Sequence, residues 1–283
     1  MTKLGQHFLT DKSALKKISA LLDLSAEGGS ASGGKGGDTV IEIGPGHGEL
    51  TEQILNNELG IKNNGIRIIA VEKDEYLAES LRKKFESHDN IEIICGDALK
   101  LLPSIIHNLN VPSSKFQVPK YKLAGNIPYY ITGKLLRTIS ELQEKPEVSV
   151  FTIQKEVAER LAAKPPKMNR LAASVQFWAE PKIAFIIPRT SFQPIPEVDS
   201  ATIVLKKVPP RRIEADAYYK TVRAVFAQPR KTILNNISNG MNISKDETRS
   251  KLEKTGIEPT LRPQNLSIED IIKIAEEFQC IGG

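Results

Sequence analysis

The residues best suited to chemistry lie in one short run, Leu123-Ala-Gly-Asn-Ile-Pro-Tyr-Tyr130. An apolar approach, Tyr121 to Ala124, leads into Asn126, Pro128 and two tyrosines, the pattern of a buried strand and its exit. An amide, a rigid turn and an aromatic ring together suit the capture of a flat, amine-bearing heterocycle. The Asn126 oxygen can accept from an exocyclic N–H, and Pro128 fixes the local backbone and donates nothing. Tyr129 offers a ring on which to stack. Taken alone, the run also fits a strand-end turn with a core tyrosine, so the elements before it decide its meaning.

Val40-Ile-Glu-Ile-Gly-Pro-Gly-His-Gly-Glu-Leu-Thr51 reads as a strand, a glycine turn and a helix start. Gly44 and Gly46 let the backbone approach a ligand where a Cβ would clash. A dinucleotide site wants Gly or Ala where this chain has Glu49, a carboxylate that would repel a pyrophosphate but tolerate a sulfonium. The spacing therefore favours S-adenosylmethionine over NAD. Glu72 ends the next apolar run, Ile68-Ile-Ala-Val, where a carboxylate can accept from ribose hydroxyls. Asp97 ends the third, placed to accept from an adenine amine. With Asn126 at the fourth, successive strand ends carry a glycine loop and three polar side chains. Ligands in such sheets sit at the carboxyl ends of the strands.

Runs rich in β-branched residues alternate with amphipathic stretches up to about residue 208. Strands are predicted over 39–43, 66–72, 91–95, 121–125, 148–153, 183–187 and 201–205. Helices are predicted over 12–22, 50–59, 75–85, 134–142, 156–163 and 171–178. This alternation predicts an α/β, Rossmann-like parallel sheet with helices on both faces. The last two strands follow each other with only a proline-rich loop between, as an antiparallel edge would. Pro209-Pro210 marks a boundary, beyond which only helical patterns follow, over 215–226, 231–240, 245–255 and 268–278. Ser267 followed by Asp270 has the form of a helix cap. The expected organisation is a domain over 1–208 and a small helical domain over 209–283.

Gly28–Gly37 imitates a phosphate loop, but Gly36 follows Lys35 where Ser or Thr is needed, and the run precedes a strand instead of leaving one. It reads as a flexible insertion. Two cysteines make no disulfide framework, and four scattered histidines have no ligand spacing, so no metal is expected. No apolar stretch is long enough for a membrane helix, and the N-terminus lacks a signal peptide's apolar core, which predicts a cytoplasmic protein. Net charge is +5, and 14 Lys/Arg against ten Asp/Glu from Lys206 onward place most of it in the last quarter. With basic clusters at Lys164–Arg170, Arg211-Arg212 and Arg230-Lys231, this favours a nucleic-acid partner.

These motifs, in this order, resemble the ribosomal RNA small-subunit adenine N(6),N(6)-dimethyltransferases, the KsgA family. The resemblance rests on Gly5-Gln-His-Phe-Leu9, Ile43-Gly-Pro-Gly46, Glu72, Gly96-Asp97, Asn126-Ile-Pro-Tyr129, Gln154-Lys-Glu156, Phe192 to Ala201, and Arg230-Lys-Thr232 with Asn235. It implies a class I S-adenosylmethionine-dependent methyltransferase sheet with a C-terminal helical domain. It also implies methyl transfer to the exocyclic amines of two adjacent adenosines near the 3′ end of small-subunit rRNA, on RNA or a pre-ribosomal particle. Cofactor contacts carry over to His7, Leu9, Gly44, Gly46, Glu72, Asp97 and Asn126, where His7 departs from the Asn of many bacterial members. Target-base contacts carry over to Asn126, Pro128, Tyr129 and Phe192, with Phe192 opposite Tyr129. Large-subunit rRNA adenine methyltransferases share the glycine loop and Asn-Ile-Pro-Tyr, but Tyr130-Ile-Thr132 and Val198-Asp-Ser-Ala201 resemble the small-subunit enzymes more closely. A non-catalytic assembly factor on the same fold is the other alternative, against which the intact loop and acids speak. Nothing in the sequence suggests an obligate dimer.

Overall fold

The structure, a computed structural model, describes residues 7–24, 38–56, 66–110 and 120–279. The glycine-rich insertion at 28–37 lies outside the described residues.

The chain opens with β1 (Phe8–Leu9) and α1 (Lys12–Ala20), whose first turn is capped by the Asp11 carboxylate accepting from Ser13 N and Ala14 N. Then come β2 (Thr39–Ile43), α2 (Glu49–Leu55), β3 (Arg67–Glu72), α3 (Glu75–Lys84) and β4 (Ile91–Cys95). They are followed by α4 (Ala98–Asn110), β5 (Tyr121–Asn126), α5 (Thr132–Glu141) and β6 (Val148–Gln154). Next are α6 (Lys155–Leu161), α7 (Arg170–Gln176), β7 (Ala179–Ile187), β8 (Phe192–Gln193) and β9 (Ser200–Lys207). The tail holds α8 (Ala215–Val225), α9 (Ile233–Met241), α10 (Lys245–Lys254) and α11 (Ile268–Gln279).

Seven strands form one sheet in the order β4-β3-β2-β5-β6-β9-β7. The five from β4 to β6 pair in parallel, and β9 runs antiparallel to β6, the expected mixed edge. Strand order reverses between β2 and β5, which opens a crevice at their carboxyl ends. The β2–β5 pair is fixed at both ends. At the start, the Lys122 ammonium meets Asp38 at 2.8 Å with both side chains about nine-tenths buried. At the exit, Gly125 passes so close to β2 that a Cβ there would lie 2.5 Å from the Ile43 carbonyl oxygen. Leu9, Leu15, Ile18, Val40, Ile54, Ile68 and Phe192 share one buried cluster.

Two features were not anticipated. Helix α4 forms despite Pro103 within it, because Asp97 caps its start and Leu102, Ile105 and Ile106 bury an apolar face. The two-residue strands β1 and β8 pair antiparallel, Leu9 opposite Phe192, tying the start of the described chain to a loop far along it.

The described chain divides into two compact units, and the division differs from a single break at Pro209-Pro210. Glu159–Pro181 packs with Val208 onward, while Lys182–Lys207 stays with the sheet. The reason is packing. The Tyr218 hydroxyl donates to Ala173 O at 2.9 Å, and the Phe177 ring stacks on Tyr218 at 4.1 Å, so α7 completes the core of the helical tail. The cap read at Ser267 is present: Asp270 N donates to Ser267 Oγ, and Asp270 Oδ2 accepts from Ser267 N.

Glu42, wholly buried on β2, joins the sheet to α2 by accepting from the Thr51 hydroxyl at 2.6 Å. Burial pushes its pKa up to about 7; the Thr51 bond opposes this, and the neighbouring Glu49 and Glu72 charges add to it. Between the ordinary value of 4.5 and about 7, the folded chain keeps a proton that the unfolded chain releases. Stability from this group therefore falls as pH rises through that window. Glu42→Gln keeps an acceptor for Thr51 and removes the titration. Its stability relative to wild type is expected to be greater at pH 8 than at pH 5, by up to about 3 kcal/mol. Parallel denaturation curves at the two pH values would refute this if the difference did not change with pH.

Candidate active site

Glu72 is the centre of the cofactor side. It is 1% exposed at the end of β3; Oε2 accepts from Gly46 N at 3.0 Å and Oε1 from Asp74 N at 2.9 Å. Its carbonyl oxygen accepts from Gly96 N at 2.8 Å, so the ends of β2, β3 and β4 all meet at this residue. Burial raises its pKa, against the lowering effect of the Asp74, Gly46 and Lys73 amides. Gly46 has φ +61°, and the Phe8 ring lies where its Cβ would be, at 2.8 Å. Phe8 was not singled out in the sequence, although an aromatic beside His7 and Leu9 was visible there.

The amide side is built at the exit of β5. Asn126 Nδ2 donates to His7 O at 2.7 Å. A carbonyl only accepts, so this bond fixes the amide's orientation and leaves Oδ1 as the acceptor for another group. Ile127 N donates to Thr152 O, and Ile131 N to Pro128 O, which closes a 3-10 turn over Tyr129–Ile131. The Tyr129 hydroxyl lies 2.9 Å from Ser200 Oγ, and burial raises the pKa of this half-buried phenol against that bond. His7 Nδ1 donates to Pro194 O at 2.7 Å, and its ring faces that of Tyr129.

One pocket brings together His7, Gly44, Gly46, Glu72, Asn126, Pro128, Tyr129 and Phe192 of the sequence-predicted set, with Phe8 and Ile127. Phe192 is 2% exposed and packs in the core cluster, where it forms part of the floor of this pocket. Leu9 and Asp97 lie outside this lining. The Leu9 side chain is buried in the core beside β8. Asp97 pairs with Lys73 at 3.0 Å and accepts from Leu99 N. Burial tends to raise its pKa, but Lys73 and the Leu99 amide outweigh that and hold it below the usual value.

The lining carries one carboxylate and no lysine or arginine. A cationic sulfonium fits it, and a pyrophosphate would find no counter-charge among these side chains. The space above Gly44 is open: apart from its chain neighbours, no atom of the described residues lies within 4 Å of a Cβ built there. A nucleoside bearing a sulfonium, as in S-adenosylmethionine, thus suits the charge of this lining, with room for a close approach at Gly44. Among the described residues no cluster of His, Cys, Asp or Glu could hold a metal, and no helix is long and apolar enough to cross a membrane. A larger cavity of about 330 Å³, in the C-terminal unit, is lined by Lys164, Gln176 and Arg211 with Glu180 and Glu269, and by none of these site residues.

The chain matches the family described as ribosomal RNA adenine dimethylase over residues 1–280. A ribosomal RNA small subunit methyltransferase A from Dehalococcoides mccartyi is 41% identical over 272 residues, covering 94% of this chain and 84% of the relative. One from Lactococcus lactis is 35% identical over 282 residues, covering 97% and 88%. Among solved structures, a dimethyladenosine transferase from Plasmodium falciparum superposes with TM-score 0.73 at 23% identity, covering 96% of this chain and 98% of that one. The 23S rRNA methyltransferase ErmE superposes with TM-score 0.69 at 21% identity, covering 96% and 99%. At these identities the two structures speak to the fold, which is the class I S-adenosylmethionine-dependent methyltransferase sheet. By sequence, the chain belongs to the ribosomal RNA adenine dimethylase family.

Proposed function

We propose that this protein transfers methyl groups from S-adenosylmethionine to the exocyclic amines of two adjacent adenosines near the 3′ end of small-subunit ribosomal RNA, during ribosome biogenesis in the cytoplasm. The observation that carries the reading is the Asn126 amide, whose nitrogen is held by the His7 carbonyl while its oxygen remains to accept from an amine. The names and near-full-length identity of the relatives support the choice of RNA. Among the described residues no feature calls for a second copy of the chain, and a monomer is the working state proposed.

When bound, S-adenosylmethionine supplies an electrophilic methyl group on a positively charged sulfur. Gly44 provides the close backbone approach, and Glu72 accepts from the ribose hydroxyls with the lone pairs that Gly46 and Asp74 leave over. Asp97 holds an adenine amine in the same way, outside its bonds to Lys73 and Leu99. His7 contributes its carbonyl and Leu9 its backbone. The target amine conjugates with its ring, which makes it a weak nucleophile. Asn126 Oδ1 accepts one of its hydrogens and so favours a pyramidal nitrogen with its lone pair free, an effect of preorganised electrostatics and orientation. Pro128 holds the turn rigid. Tyr129 stacks on the extruded base and offsets part of the cost of leaving its stack. As the amine's lone pair takes the methyl group, the carbon–sulfur bond breaks and S-adenosylhomocysteine leaves; the nitrogen, now cationic, is acidic enough to give its proton to water, so no side chain is required as a strong base.

The direct test is mass mapping of methylated adenosines after incubating the protein and S-adenosylmethionine with unmethylated small and large subunits. Two adjacent dimethylated adenosines in the small-subunit RNA are expected, and methylation confined to the large subunit would overturn the reading. Asn126→Ala is expected to lower turnover by about a hundredfold or more while RNA binding stays near wild type. Wild-type turnover by that variant would remove Asn126 from the mechanism. Glu72→Ala is expected to weaken cofactor binding about tenfold or more, the worth of a charge-assisted hydrogen bond. An unchanged calorimetric constant in a folded variant would reject its ribose role.

A further inference from the structure

Two basic clusters that the methyl-transfer site does not use meet in the C-terminal unit. Lys164 of the Lys164–Arg170 run and Arg211 of the Arg211-Arg212 pair line the cavity of about 330 Å³, together with the start of α11. That volume lies within the range of small-ligand pockets, about 300–1,000 Å³. The Arg211 Nε is buried and has no hydrogen-bond partner among the described residues. A buried N–H without an acceptor is rare and calls for a bound group that supplies one. Beside it, Ser267 caps α11 by accepting from the Asp270 amide, while the Ile268 and Glu269 amides have no acceptor inside the helix. An arginine and the first turn of a 12-residue helix together suit an oxyanion, and the planar guanidinium fork matches a phosphate.

The rest of the lining is not that of a bare phosphate site. Met168, Pro181 and Val208 make an apolar wall. Gln176 makes both of its bonds through Nε2, to Leu161 O and Ala163 O at 2.9 Å each, so Oε1 is left as an acceptor. Glu180 and Glu269 are exposed carboxylates on the same lining, which would repel a lone anion but pair with hydroxyl donors. A phosphate for Arg211, hydroxyls for a carboxylate, a flat ring for the apolar wall and an N–H for Gln176 are the parts of one ribonucleotide.

We infer that this cavity is a ribonucleotide-binding site, with the phosphate on Arg211, Lys164 and the first α11 amides, the ribose hydroxyls on Glu180 or Glu269, and an amine-bearing base against the apolar wall, donating to Gln176 Oε1. A free nucleotide and a single unpaired nucleotide of an RNA strand offer the same chemistry. The inference goes beyond the methylation reading and does not depend on it, since this lining and that of the methyl-transfer pocket share no residue.

Calorimetry on the full chain tests it, with S-adenosylhomocysteine at saturation so that the adenosine pocket beside Glu72 is already filled. Adenosine 5′-monophosphate is expected to bind, and adenosine, which lacks the phosphate, to bind about tenfold more weakly. Arg211→Met keeps the apolar stem without the charge and is expected to weaken the monophosphate about tenfold while leaving adenosine within about twofold. Should its melting curve show a lost fold, Arg211→Lys takes its place, keeping the charge without the fork, with an expected loss of about threefold. No binding of the monophosphate to wild type, adenosine bound as tightly as the monophosphate, or an unchanged affinity in the folded variant would each overturn the inference. A fluorescent single-stranded hexaribonucleotide then separates the two sources. Its displacement by the monophosphate in wild type, lost in the Arg211 variant, assigns the site to an RNA strand; monophosphate binding without displacement assigns it to a free nucleotide. If the monophosphate binds as expected while small-subunit RNA receives no methyl groups, the methylation reading alone fails.

Discussion

The site depends on one buried carboxylate that is satisfied by backbone amides. Glu72 accepts from Gly46 N and Asp74 N, and its carbonyl accepts from Gly96 N. Three strand ends are thereby set relative to one another by a single residue. A buried carboxylate is costly to desolvate, and its raised pKa reflects that cost. The usual remedy is an arginine or lysine, which would have placed a cation in the pocket. Amide donors stabilise the charge without adding one, so the lining stays negative and suits a sulfonium. The same arrangement explains why the loop needs Gly46: its amide turns toward Glu72 with φ +61° while the Phe8 ring occupies the side where a Cβ would project.

Much of this was legible in the sequence because the central strands are buried on both faces and read as continuous apolar runs. Val40-Ile-Glu-Ile43 and Ile68-Ile-Ala-Val71 could be little else, and the residues just beyond them fell at the carboxyl ends where ligands sit. What escaped was set by contacts distant in sequence. The segment Glu159–Pro181 looks like one more α/β crossover locally, and only the Ala173–Tyr218 bond and the Phe177–Tyr218 stack draw it into the helical unit. Strands β1 and β8 are two residues each, too short for any periodicity. Helix α4 was hidden by Pro103, a breaker by propensity that tertiary burial overrides.

At the site, residue identities were more legible than their environments. Asn126 and Tyr129 stand where the motif placed them, but an aromatic in a proline-rich loop gives no sign of whether its face is free. Phe192 packs in the core while lining the pocket floor, and the His7 ring lies 5.9 Å from that of Tyr129, centroid to centroid. Asp97 showed the same limit. Its place at a strand end was visible, but the lysine one residue after Glu72 that pairs with it comes into range only when β3 and β4 lie side by side.

The run from Gly125 to Tyr129 explains why so short a motif carries so much information. Each residue is held by a different part of the sheet domain: Gly125 by the approach of Ile43 O, Asn126 by His7 O, and Ile127 by Thr152 O. Pro128 accepts from Ile131 N within the turn, and Tyr129 meets Ser200. Five consecutive residues with five separate constraints leave little room for substitution, even before any ligand is considered. The constraints define where an amine-bearing ring is held, and nothing in them distinguishes one RNA from another. Choice of RNA must therefore be made by surfaces outside this run.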